Sequence, residues 1–139
     1  MVEFALIVPL FVLLLVGLFD VGRAIYAHNT VNNAAREGAR LAIVDQFEEH
    51  IKAEAVTAAT AVDIGEDDVT VTFEEPDGSA CAVLGTPAAA GCVAVVTVVY
   101  RYEAATPLIG NLLGVIDITG SSRFPVSINC ATSDCPLGS

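Results

Sequence analysis

The sequence predicts an α+β protein. One long N-terminal hydrophobic helix forms a stalk, and it carries a small head of a second helix and an antiparallel sheet of about three strands. Three observations predict this. Phe4 to Phe19, FALIVPLFVLLLVGLF, is one unbroken apolar run with a lone carboxylate, Glu3, just before it. Small and apolar residues then recur at spacings of three and four. Beyond them lie stretches of alternating β-branched residues separated by Gly/Pro turns.

The apolar run is too long for an ordinary amphipathic helix and has no polar face. Its sixteen residues span about 24 Å as a helix, a little short of a bilayer's hydrocarbon thickness of about 30 Å. Removing it from water is favourable by tens of kcal/mol, at about 1.5–3 kcal/mol per large side chain. A cleaved secretory signal needs a basic start and a small-residue cleavage site. No Lys or Arg precedes Phe4, and DVGRAIYAHNT follows Phe19. Instead the helical pattern continues through Val21, Ala24, Ile25, His28, Val31, Ala35, Gly38 and Ala42, with Arg23, Asn29, Asn33, Arg36, Glu37 and Arg40 on other faces. One helix over residues 1–44 is expected, its apolar part in lipid or in the core of an assembly, followed by a soluble head over residues 45–139.

In the head, Phe47 to Val62 reads as a second helix, with Asp45 as N-cap, Glu48 completing a capping box, and Gly65 as its end. Val69 to Phe73, VTVTF, alternates as a strand, and EPDGSA is a turn. Val93 to Tyr102, VAVVTVVYRY, is the strongest strand pattern. Thr106 and Pro107 are placed to start a short helix, PLIGNLLG. Val115 to Asn129 reads as a strand interrupted near Gly120.

The net charge of −11 argues against nucleic acid, which needs a basic face. The acidic head reads as solubility. A cation site at Glu66, Asp67 and Asp68 is the sharper alternative, but no calcium-loop spacing is present. The four cysteines form two local pairs, and four cysteines allow three connectivities. The simplest is Cys81 with Cys92 and Cys130 with Cys135. Zinc-like spacing is absent, and His28 and His50 are remote in sequence. Disulfides place the head outside the cytosol. No catalytic motif is present, so neither an enzyme nor a cofactor is expected.

The segments Glu3 to Leu10 (E-F-A-L-x-x-P-L), Asp20 to Tyr26 (D-x-G-R-A-x-Y) and Asn33 to Ala42 (N-A-A-R-E-G-A-R-L-A) resemble the TadE-like family of tight-adherence (Tad) pilus proteins. TPLIGNLLG and the Thr/Ser-rich strand after it resemble that family's C-terminal part. The family is similar to type IV pilins in its N-terminal hydrophobic helix carrying a glutamate. The resemblance implies processing by a prepilin peptidase, residence in the inner membrane, and a place in an extracellular pilus or its assembly machinery. The glutamate is third here, where pilins carry it fifth, and no leader ending in Gly precedes it.

Five stalk residues are expected to matter for assembly. Glu3 either pairs with the α-amine of Met1 of a neighbouring subunit, fixing register in a homo-oligomeric helical filament, or sits at the lipid headgroups. Pro9 removes a backbone hydrogen bond and should kink or locally melt the helix. Asp20 and Arg23, three apart, are spaced to pair. A structural pilin-like subunit is the expected function. The rivals are a minor TadE-like pseudopilin and a membrane-anchored surface-binding module using the 81–92 loop.

Overall fold

In the computed structural model, residues 2–81, 91–104 and 114–127 are described. The expected short helix at Pro107 and the pairing of Cys130 with Cys135 lie outside them, as does Met1. Helix α1 (Val2–Leu41) is followed by α2 (Glu48–Ala58) and a 3-10 turn at Glu66–Asp68. Strands β1 (Val69–Glu74), β2 (Val93–Glu103) and β3 (Val115–Pro125) form one antiparallel sheet in that order. The α+β architecture expected from sequence is therefore present.

β2 is central, and its even-numbered residues face the helices. Ala94, Val96 and Val98 are fully buried there, opposite Phe73, Val71 and Val69 of β1 and Phe124, Ser122 and Gly120 of β3. Against that face lie Val31, Ala34, Ala35, Ala39 and Ala42 of α1 and Ile51 and Ala55 of α2. The other face is thinly covered. Val95 is nonetheless buried, because Arg123 of β3 reaches across it to Glu74 of β1 at 2.5 Å. A strand buried on one face and half-covered on the other suits a nearly continuous apolar sequence, which VAVVTVV supplies.

Several elements differ from the sequence reading. β3 is not interrupted at Gly120. That glycine is buried, and a Cβ there would lie 2.9 Å from the backbone of Val31 and Asn32. It is the point where β3 meets α1, so its missing side chain serves close approach and not a break. Gly38 plays a similar part on the helix, where a Cβ would meet Ala55 and Val96 at 3.1 and 3.2 Å.

The buried face of α1 includes Val31, Ala35, Gly38 and Ala42 of the expected set but not its members nearer the N-terminus. Val21, Ile25 and His28 are exposed, while Ala27, Ala34 and Ala39 are buried. Close packing selects small residues on the head side, so the largest apolar side chains point away. α1 ends at Leu41, short of Val44, and α2 ends at Ala58, short of Val62. Gly65 instead begins the 3-10 turn, donating its N–H to Asp68 Oδ2 at 3.0 Å.

Asp45 is not the N-cap of α2; Phe47 occupies that position and makes no side-chain cap bond. The buried Asp45 carboxylate serves the corner between the helices. Oδ1 accepts the Phe47 N–H at 2.9 Å, and Oδ2 accepts from His50 Nδ1 at 2.7 Å. Gln46, also buried, donates to the Ala42 carbonyl at 3.2 Å. The β1 turn is tighter than its sequence alone conveys. Gly78 takes φ +88°, and the Asp77 carboxylate accepts both the N–H and the hydroxyl of Ser79. These bonds hold Asp77 below the usual carboxylate range.

Cys81 and Cys92 form a disulfide with their Cα atoms 6.1 Å apart, within the ordinary range. It closes a loop with a sequence separation of 11 and ties the end of the β1 turn to the start of β2.

Two stability outcomes are expected. Gly120→Ala should destabilise the full chain in detergent by about 1–3 kcal/mol through overpacking, read as a lower urea midpoint; an unchanged midpoint would mean that α1 and β3 are farther apart than described. Replacing both Cys81 and Cys92 with Ser should cost roughly 3 kcal/mol by the loop-closure relation, seen as a lower melting temperature that reductant no longer shifts.

Candidate functional site

The first half of α1 stands out because nothing covers it. Phe4, Leu6, Leu10, Leu14, Leu18 and Phe19 are each exposed over more than half their surface. By length and composition α1 is able to cross a membrane, and only 6% of its most apolar window is buried by the rest of the chain. The core helix of a soluble protein would be covered. An all-apolar helix with every backbone group bonded within itself suits lipid or the interior of an assembly.

The expected assembly residues fall at separate places on this surface. Glu3 is exposed in the first turn of α1. There its carboxylate complements the helix N-terminus. Pro9 is exposed, and helical backbone continues through it without a break, so there is no melted turn. A single missing donor leaves the neighbouring turns intact. Arg23 is exposed, and with Leu15, Leu18, Phe19, Gly22 and Tyr26 it lines a shallow apolar groove of about 340 Å³. Leu41 and Arg40 lie at the far end, where Arg40 and Glu37 make an exposed pair at 3.8 Å.

Asp20 differs from Glu3, Pro9 and Arg23. It follows directly on the apolar run, yet it is only 6% exposed. Tyr102, near the end of β2, donates its hydroxyl to the Asp20 backbone carbonyl at 2.8 Å. This bond marks the level at which the head begins. Sequence reading picked out Asp20 but missed Tyr102. The one available cue was an aromatic residue ending a strand, which does not name a partner 82 residues away.

Tyr102 is itself buried, and that burial, with a smaller contribution from the Asp20 charge, raises its pKa above the ordinary 10.0. The folded state therefore holds the phenolic proton more tightly than the unfolded chain does. Its contribution to stability is complete below pH 10.0 and is lost as pH rises through the higher folded value. The melting temperature should fall as pH rises from 10.0 towards the folded value, and Tyr102→Phe should flatten the fall. The variant should also cost about 0.5–1.5 kcal/mol at neutral pH for the lost hydrogen bond. Parallel thermal melts of both proteins from neutral to strongly alkaline pH check this. Identical slopes would remove Tyr102 from the junction.

Among the described residues no cluster of His, Cys, Asp or Glu is arranged to hold a metal ion. No curated protein and no solved structure matches the chain. Residues 1–40 match the family model described as TadE-like protein, a span that holds the exposed apolar surface, Glu3, Pro9, Asp20 and Arg23. The family model thus matches the part of the chain that carries the three N-terminal segments and forms the apolar helix.

Proposed function

We propose that the chain is a structural subunit of an extracellular Tad/type IV-like pilus and assembles through the apolar part of α1. The single observation carrying this reading is the uncovered apolar half of α1, projecting from a core that the helix's second half shares with the head. A surface of that size needs lipid or identical neighbours. In this reading the inner membrane stores the subunit, residues 1–44 act as anchor and filament core, and residues 45–139 remain outside as the head. A prepilin peptidase and the pilus assembly machinery are the partners, and the subunit has no enzymatic role.

Within the filament, Glu3 is the residue most sensitive to its surroundings. A carboxylate in a dry core needs a cationic partner, and the α-amine of Met1 on a neighbouring subunit is the group proposed. Such a pair sets register more than it adds net stability. Removing one partner from a buried pair costs on the order of 3–5 kcal/mol, and about 1.4 kcal/mol is already tenfold in an equilibrium. Glu3→Ala should therefore cut filament yield by more than about tenfold while leaving membrane insertion intact.

The test is to shear cells producing the protein, image the released fraction by cryo-electron microscopy, and identify its main component by mass spectrometry. Filaments built mainly of this chain, and lost in Glu3→Ala cells, are expected. Filaments with this chain only in trace would make it a minor subunit. A chain that stays in the membrane fraction would overturn the filament reading.

A further inference from the structure

The depth at which the head meets the membrane follows from lengths along α1. The apolar run Phe4 to Phe19 spans about 24 Å, whereas the hydrocarbon layer is about 30 Å thick. The missing 6 Å or so corresponds to roughly four more residues at about 1.5 Å each. The outer boundary of the hydrocarbon then lies near Arg23 and not at Phe19. Asp20 falls inside that boundary, where an uncovered carboxylate would be costly.

Asp20 is buried, and Tyr102 of β2 bonds its backbone. Tyr102 pairs in register with Ile116 of β3, and Glu103 with Val115. β3 runs alongside α1 in the same direction: Gly120 abuts Val31, and Ser127 donates to the Ile43 carbonyl farther on. The start of β3 is therefore level with the start of the junction. There Val115 and Ile116 are 54% and 42% exposed. Among the described residues beyond α1, only these two large hydrophobics and Val44 are so exposed. Alternation along the strand sends them to opposite faces of the sheet, so each face carries one of them, Ile116 beside Tyr102 and Val115 beside the exposed Glu103, whose carboxylate is left to the headgroup layer. Arg23 and Tyr26, exposed on α1 just beyond, are residue types that suit the headgroup layer.

We infer that the start of β3, through Val115 and Ile116, inserts into the lipid interface beside α1, so that the head rests on the membrane by this one end and shields Asp20 there. The inference rests on the membrane-anchored subunit reading. The occupant is lipid because the patch is continuous with the apolar helix and lies at the depth the helix leaves unfilled. The far end of the head stands clear of the membrane, since Val44 is more than 20 residues beyond Asp20, roughly 30 Å farther along α1.

The chain contains no tryptophan, so single substitutions report their own surroundings. The full chain is reconstituted in phosphatidylcholine vesicles whose acyl chains carry bromine near the headgroup or near the bilayer centre. Val115→Trp should emit to the blue and lose intensity to the shallow bromines; Ile116→Trp gives the same readout should the first variant fold poorly. Val12→Trp should be quenched by the deep bromines, and Val44→Trp by neither. Quenching at Val12→Trp without quenching at residues 115 and 116 would overturn this inference alone. Blue emission there without quenching would mean that a second copy or another protein covers the patch, and would overturn it too. Quenching at Val44→Trp equal to that at 115 would mean a head lying flat. An unquenched Val12→Trp would remove the membrane anchor itself, and this inference with it.

Discussion

The apolar surface of the first half of α1 is the constraint on which the rest of the structure depends. Water cannot accommodate it, and the head does not cover it. Any environment that does is dry, and a dry environment demands a backbone bonded within its own segment. That requirement keeps α1 helical from Val2 through Pro9 and on to Leu41. It also fixes the task of the head, which is to grip a helix it does not enclose. The grip is made on one side only, from Asp20 onward, so the opposite side of the same helix remains apolar at Val21, Ile25 and Tyr26.

One-sided gripping explains why small residues dominate the joint. Ala34, Ala35, Gly38, Ala39 and Ala42 let the axis of α1 lie close to the sheet, and Gly120 removes the last obstacle from β3. Close approach from Ala34 to Ala42, about two and a half turns, replaces the depth of burial that large side chains would have given. Polar groups fix the two ends of the contact. Tyr102 holds the start through the Asp20 carbonyl, and Ser127, just past β3, holds the finish by donating its N–H to the Ile43 carbonyl. A hydrogen bond accepts few alternative geometries, so these two points set the position of the helix along the sheet while the alanines set only its distance.

The same physics decides how much was legible in the sequence. The apolar run, the long helix and the three strands are written in local periodicity, which requires no knowledge of partners. β2 was plain because a strand buried on one face and half-covered on the other is apolar nearly throughout. Gly120 was misread because a glycine within a strand signals a break and a close approach equally well; only the position of Val31 and Asn32 separates the two. Asp45 was misread for a similar reason. A carboxylate three residues before Glu48 fits a capping pattern, but His50 and the Phe47 N–H offered it two bonds at the corner instead. On α1, Val31, Ala35, Gly38 and Ala42 were legible as the buried face, whereas Val21, Ile25 and His28 were not separable from it, because periodicity does not say where along the helix the head begins. Tyr102 was out of reach, since its partner is a backbone carbonyl with no signature in sequence.

The stalk's two proposed environments, lipid and filament, bear on where assembly specificity resides. Acyl chains are about as apolar as leucine, so moving Leu10 or Leu14 from lipid to a neighbouring helix gains little hydrophobic free energy. The run that makes the subunit insoluble is therefore a weak source of preference between the two. Preference must come from positions where lipid and protein differ. Glu3 is one, because a neighbour can supply a charge that acyl chains cannot. The groove at Gly22, flanked by Leu18, Phe19 and Tyr26, is another, because its shape admits close van der Waals packing. The interfacial end of the head is a third, because any subunit leaving the bilayer must withdraw Val115 and Ile116 from the headgroup layer and cover them again. Few residues thus govern the choice, and most of the apolar run contributes only the requirement that a choice be made.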